Sequence, residues 1–158
     1  MIRYIVLTVI FSAGLLSLGI SDAYSKCKPV VGQSFGDILP SATCGSNLPS
    51  GGCLTGRSIG GIQGALETTF NFAAFDPVLA DVIFVTGETL ITNRKGDELY
   101  IIESSSVDTA TGKTANLITF VGGTGVFDGA SGQAVLDGTA DFDNNTFSTR
   151  YRGELCTP

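Results

Sequence analysis

From Leu54 to the C-terminus, no stretch combines the length and the 3.6-residue period of an amphipathic helix. Apolar runs of strand length, separated by turn signals at roughly even spacing, take its place. That pattern restricts the body of the chain to all-β structure. At 158 residues, 43% hydrophobic and 15% charged, the chain has the size of one domain. It can bury roughly two-thirds of its unfolded surface, enough for a core without a structural metal.

The strands read individually. Over 62–73, alternation puts Ile62, Gly64, Leu66, Thr68, Phe70 and Phe72 on one face, and Gln63, Glu67 and Asn71 on the other. Val82 to Thr92 and Glu98 to Ser106 carry apolar residues on both faces, so these strands are expected to be covered on both sides or to contact a partner. Between them, Asn93-Arg94-Lys95-Gly96-Asp97 predicts a tight hairpin with Gly96 left-handed. Thr114 to Val121 forms a further strand after the polar loop Asp108 to Lys113. In the last hairpin, a two-residue Asn144-Asn145 turn would set Asp141 opposite Ser148, Thr139 opposite Arg150 and Asp137 opposite Arg152. The other face then aligns Ala140 with Thr149, Gly138 with Tyr151 and Ala134 with Leu155. Seven or eight such strands in sequence order are best completed by closure into an antiparallel up-and-down barrel, because an open meander leaves two bare edges. A sandwich is the alternative.

Ahead of this body, residues 26–53 hold Pro29, Pro40 and Pro49 without sustained periodicity, and the segment is expected to be irregular and pinned by disulfides. Residues 1–25 read as a signal peptide: Met1-Ile2-Arg3, an uncharged apolar run from Tyr4 to Ile20, then small residues allowing cleavage after Ala23 or Ser25. The run is short for a membrane span, which needs about 20 residues. Lys26 before Cys27 argues against a lipoprotein. The expected location is therefore the periplasm or the medium, with no membrane attachment after cleavage.

In such a compartment, Cys27, Cys44, Cys53 and Cys156 form two disulfides, for which three connectivities exist. Pairing of the last strand with the strand that follows Cys53 would favour Cys53 with Cys156, and Cys27 with Cys44. A metal site of four thiolates lacks the CxxC spacing it would need. The chain contains no histidine, which removes Ser-His-Asp and Cys-His relays and histidine-ligated zinc. A net charge of -6 with scattered basic residues argues against nucleic acid as a partner. Neither cofactor nor metal is expected. Asp141, Asp143 and Asn144 lack the further oxygens of a calcium loop and are accounted for by the turn. Asn144-Asn145-Thr146 is also a glycosylation sequon, relevant only in a eukaryotic source.

The stretch Phe120-Val121-Gly122-Gly123-Thr124-Gly125-Val126-Phe127-Asp128-Gly129-Ala130-Ser131-Gly132 resembles the GGTGxFxGAxG signature of the allene oxide cyclase and dirigent protein barrel superfamily. The resemblance covers roughly Leu54 to Leu155. It implies an eight-stranded antiparallel barrel with an apolar cavity, often dimeric or trimeric, and does not by itself imply an activity. The motif also has a physical reading. Gly122, Gly123 and Gly125 permit a reversal with positive φ, Gly129 and Gly132 allow close backbone approach, and Phe127 is placed to plug one barrel end. A phosphate cradle is excluded, since no Lys-Ser/Thr and no helix follow.

Chemistry inside such a barrel must come from carboxylates, Tyr, Ser or Thr. Glu88 shares a face with Phe84, Leu90, Tyr100 and Ile102, whereas Glu103 shares a face with Ile83, Val85, Ile91, Leu99 and Ile101. Whichever face points inward brings one glutamate into an apolar cavity, where desolvation raises its pKa and fits it for general acid or base work. We favour Glu88 beside Tyr100, with Phe70, Phe72, Phe84, Leu90 and Ile102 lining the cavity; the bland alternative leaves each glutamate at a mouth or on the solvated face. Three functions follow: a barrel holding a small hydrophobic molecule as carrier or dirigent-like template, a cofactor-free cyclase or isomerase, or a structural or interaction module with a filled interior.

Overall fold

The computed structural model describes residues 26–46 and 52–158; the expected signal peptide lies outside the described residues. Eight strands run in sequence order: β1 Lys26–Leu39, β2 Cys53–Gly60, β3 Gly64–Phe75, β4 Val82–Thr92, β5 Glu98–Asp108, β6 Lys113–Gly123, β7 Ser131–Asp141 and β8 Thr146–Thr157. Each pairs antiparallel with the next and β1 pairs with β8, so the barrel is closed and has no edge strand.

The closing strand is the part that sequence patterning does not show. Lys26–Leu39, expected to be irregular, is a 14-residue strand. Alternation does exist there, because Val30, Ser34 and Ile38 point inward. The inward positions between them are Gly32 and Gly36, which carry no apolar signal. Gly32 has to be glycine: a Cβ there would run into the Ile59 carbonyl and the Tyr151 ring.

The strand also settles the disulfides. Cys27 on β1 and Cys156 on β8 are register partners, and they are bonded; Cys44 bonds Cys53. The expected Cys53–Cys156 and Cys27–Cys44 pairing is therefore corrected. It assumed that β8 meets the strand after Cys53, whereas β1 lies between them. The second bond ties a one-turn helix (α1, Ser41–Cys44), which follows Pro40, to the first residue of β2.

Two registers differ from expectation. In the last hairpin Asp137 pairs with Arg150 and Gly138 with Thr149, a shift of two residues from the expected Asp137–Arg152 and Gly138–Tyr151. Asp141 is the reason. Its carboxylate accepts the Asn144 backbone N–H at 3.0 Å and the Asn144 side-chain amide at 2.8 Å, which builds a four-residue loop with only Asn145 at positive φ. A shift of two leaves the faces unchanged. In β3 the register slips between Phe70 and Phe72, so Phe70 is 8% exposed inside the barrel while Phe72 is 56% exposed outside it. Gly96 is left-handed at φ 87, as the Asn93–Asp97 hairpin requires.

The core fills one end of the barrel. Leu66, Ile91, Leu99, Ile101, Ile118 and Phe120 pack there, and Phe127 caps them from a 3-10 turn over Gly125–Phe127. Gly122 and Gly125 take positive φ, but Gly123 does not; a Cβ at Gly123 would meet the Phe127 side chain. Tyr151 closes the same end. Its hydroxyl accepts the Ile62 N–H at 2.8 Å and sits 2.9 Å from the carbonyls of Ile59 and Ile62, so a buried phenol is satisfied within the core.

Candidate functional site

Strand parity decides which glutamate is inside. Across β4 and β5, Gly87 pairs with Glu103 and Glu88 with Ile102. The face bearing Val85, Thr89, Ile91, Leu99 and Ile101 turns inward, carrying Glu103 at 5% exposure. Glu88 is exposed on the outer wall, as are Tyr100, Phe84 and Ile102, with Leu90 half-buried among them. The expected Glu88–Tyr100 site is therefore corrected: Tyr100 donates to Glu98 at 2.7 Å on the outside of the barrel. Of the cavity-lining residues expected, Phe70 lies inside, and Phe72, Phe84, Leu90 and Ile102 lie on the wall. Both strands are apolar on both faces, which is why alternation could not separate the two choices. Gly87 carries no side chain at the inward position opposite Glu103, where a Cβ would meet the Phe70 ring and the Thr69 carbonyl.

Glu103 sits in a belt of hydroxyls and one amide at mid-barrel. Ser105 donates to its Oε1 at 2.7 Å, Thr89 donates to its Oε2 at 3.1 Å, and the Asn116 amide reaches Oε1 at 3.5 Å. Thr68 and Thr89 hydroxyls lie 2.7 Å apart. Because the Thr89 proton is directed at Glu103, Thr68 is the donor in that pair. Thr68, Thr89, Ser105 and Asn116 were not singled out from the sequence, where inward Ser and Thr look like ordinary strand polarity. No cation balances the carboxyl: all eight Lys and Arg side chains among the described residues are exposed. Burial pushes the Glu103 carboxyl above the usual carboxylate range, against the opposing effect of the Ser105 and Thr89 hydrogen bonds.

Two voids meet at this group. An inner one of about 40 Å³ lies between Glu103 and Tyr151, and a second of about 90 Å³ opens toward the barrel mouth past Ile38, Phe70 and Phe142. Leu54, Glu103, Asn116, Phe147 and Thr149 border both. Two buried polar atoms lining the mouth void lack a hydrogen-bond partner: Asn116 Oδ1 at this junction and Thr114 Oγ1 further out. Buried polar atoms are usually satisfied, so these two are free to pair with a group that enters the void. The arrangement can accept hydrogen bonds at the inner end and bury a small apolar group at the outer end.

The Asp141, Asp143 and Asn144 cluster does something simpler. The Asn144 side chain and backbone N–H hold the Asp141 carboxylate below its usual range while closing the hairpin loop.

In comparisons with known proteins, no family model, curated protein or solved structure matches this chain.

Proposed function

We propose that the chain is a secreted barrel that takes a small molecule with an apolar body into its mouth, as a carrier or a template for a reactive intermediate. The observation that carries this reading is the void of about 90 Å³ leading from the mouth to the buried Glu103, with the unpartnered Asn116 Oδ1 at its inner end and Thr114 Oγ1 along it. The two disulfides and the leader-like first residues support export. The glycine stretch Gly122 to Gly132, with its resemblance to allene oxide cyclases and dirigent proteins, supports the same class of barrel. The size of the void limits the ligand: a lipid or terpenoid would seat only one end in it. In the catalytic variant, a cofactor-free isomerase or cyclase, Glu103 is the carboxyl that the described residues place in the pocket, and Tyr100, on the outer wall, takes no part.

A second reading rests on the outer wall. Leu117 and Val135 are register partners there and both are exposed, with Phe84, Ile102 and Val121 exposed on β4, β5 and β6. Apolar side chains so placed favour a protein partner, a second copy of the chain included.

A titration with isobutanol, followed by amide NMR shifts, separates the readings. Saturable shifts at Leu54, Asn116 and Thr149 are expected for the pocket reading. Shifts confined to Ile102, Leu117 and Val135, or their appearance with protein concentration alone, would move the function to the wall.

A further inference from the structure

The pocket has an acceptor geometry that goes further than its apolar mouth. On paired strands, β5 and β6, Ser105 lies opposite Asn116 and Val107 opposite Thr114. Glu103, Asn116 and Thr114 all border the mouth void. Every protein hydrogen bond to Glu103 is donated to it, and once ionised the carboxyl has only acceptor lone pairs left to offer the void. Asn116 Oδ1 is an acceptor without a donor, and Thr114 Oγ1 has no partner of either kind.

We propose, resting on the small-molecule reading above, that the ligand class is a small primary ammonium compound with an apolar body of a few heavy atoms. An ammonium carries three N–H donors and a positive charge. The Glu103 carboxyl and Asn116 Oδ1 stand together where the two voids meet, Thr114 Oγ1 is a third acceptor further out along the mouth void, and no Lys or Arg among the described residues neutralises the carboxyl. An alcohol would bring one donor and no charge, leaving two acceptors unpaired. A carboxylate would bring charge of the wrong sign. The body then lies toward Phe70, Phe142 and Phe147. A void of about 90 Å³ holds roughly three to six heavy atoms, at about 15–30 Å³ for each water-sized group.

The groups facing Glu103 set the pH response. β4 presents Gly87 and Thr89, β6 presents Asn116 and Ile118, and across the lumen Tyr151 is the other titratable side chain bordering the inner void. None of these is an Asp, Glu, Lys or Arg side chain. Because burial raises the Glu103 pKa, the carboxyl must lose its proton to receive an ammonium, and affinity rises with pH until that loss is complete.

The test uses the full disulfide-intact protein and calorimetric titration with isobutylamine, isobutanol and isobutyrate. Isobutylamine is expected to bind roughly tenfold more tightly than isobutanol at about pH 8, with the advantage shrinking toward about pH 5, as a charge-assisted hydrogen bond requires. Glu103→Gln should erase the preference and keep isobutanol binding. Asn116→Leu and Thr114→Val should each reduce the preference, and they serve if Glu103→Gln does not fold. Isobutanol or isobutyrate binding at least as tightly as the amine overturns the ammonium assignment and leaves the pocket standing. Binding of none of the three overturns the pocket reading as well.

Discussion

Cys27→Ser with Cys156→Ser should lower the unfolding free energy by about 5 kcal/mol, whereas Cys44→Ser with Cys53→Ser should cost about 2–3 kcal/mol, from the chain-entropy dependence on loop length. The first bond joins residues 129 apart in sequence and the second joins residues 9 apart. Removing the first frees most of the chain in the unfolded state, so it acts chiefly by enlarging that ensemble. It also unfastens β1 from β8, the seam that closes the barrel. Domains of this size are commonly stable by only about 5–15 kcal/mol, so the double serine variant should sit close to its unfolding threshold. Urea unfolding of both variants checks this. Equal losses would mean that the seam is held by strand pairing alone.

Phe120→Ala should be the most costly single substitution in the core, at about 3–5 kcal/mol, through lost transfer energy and the cavity it leaves. Phe120 is 2% exposed and packs at the plugged end with Leu99, Ile118 and Phe127. Phe84→Ala removes the same ring from the outer wall, where it is 47% exposed, and should cost about 1 kcal/mol or less. The pair is a direct readout of which face is inside. A larger loss at Phe84 would invert the barrel or reveal a partner on its wall.

How far the fold could be read in advance follows from what each strand had to hide. β7 and β8 bury one face and expose the other, so their faces were legible, and the two-residue slip preserved them. The Asn93–Asp97 turn was legible because a left-handed glycine has a fixed place in such a hairpin. β1 escaped because two of its inward positions are glycine, chosen for close approach rather than hydrophobicity. Phe72 was misplaced for a different reason: a bulge adds one residue to a strand, and nothing in alternation announces it. The candidate site was half legible. Two glutamates on opposite faces of doubly apolar strands could be found by parity, but choosing between them needed the register that pairs Gly87 with Glu103. The supporting hydroxyls become a site only when the barrel brings β3, β4, β5 and β6 around one carboxyl.

The central claim is that Glu103 is the carboxyl held inside the barrel, and its proton linkage tests that claim most directly. Burial raises its pKa above the ordinary value of 4.5, so between that value and the folded one the native state keeps a proton that the unfolded chain has released. Unfolding free energy then falls as pH rises through this window and levels off above it. Glu103→Gln carries no such proton. Measured by urea unfolding across the acid-to-neutral range, the stability of Glu103→Gln relative to the unsubstituted protein should increase with pH from about 4.5 upward and then plateau. A difference that stays constant across that range would contradict the account and return Glu103 to solvent.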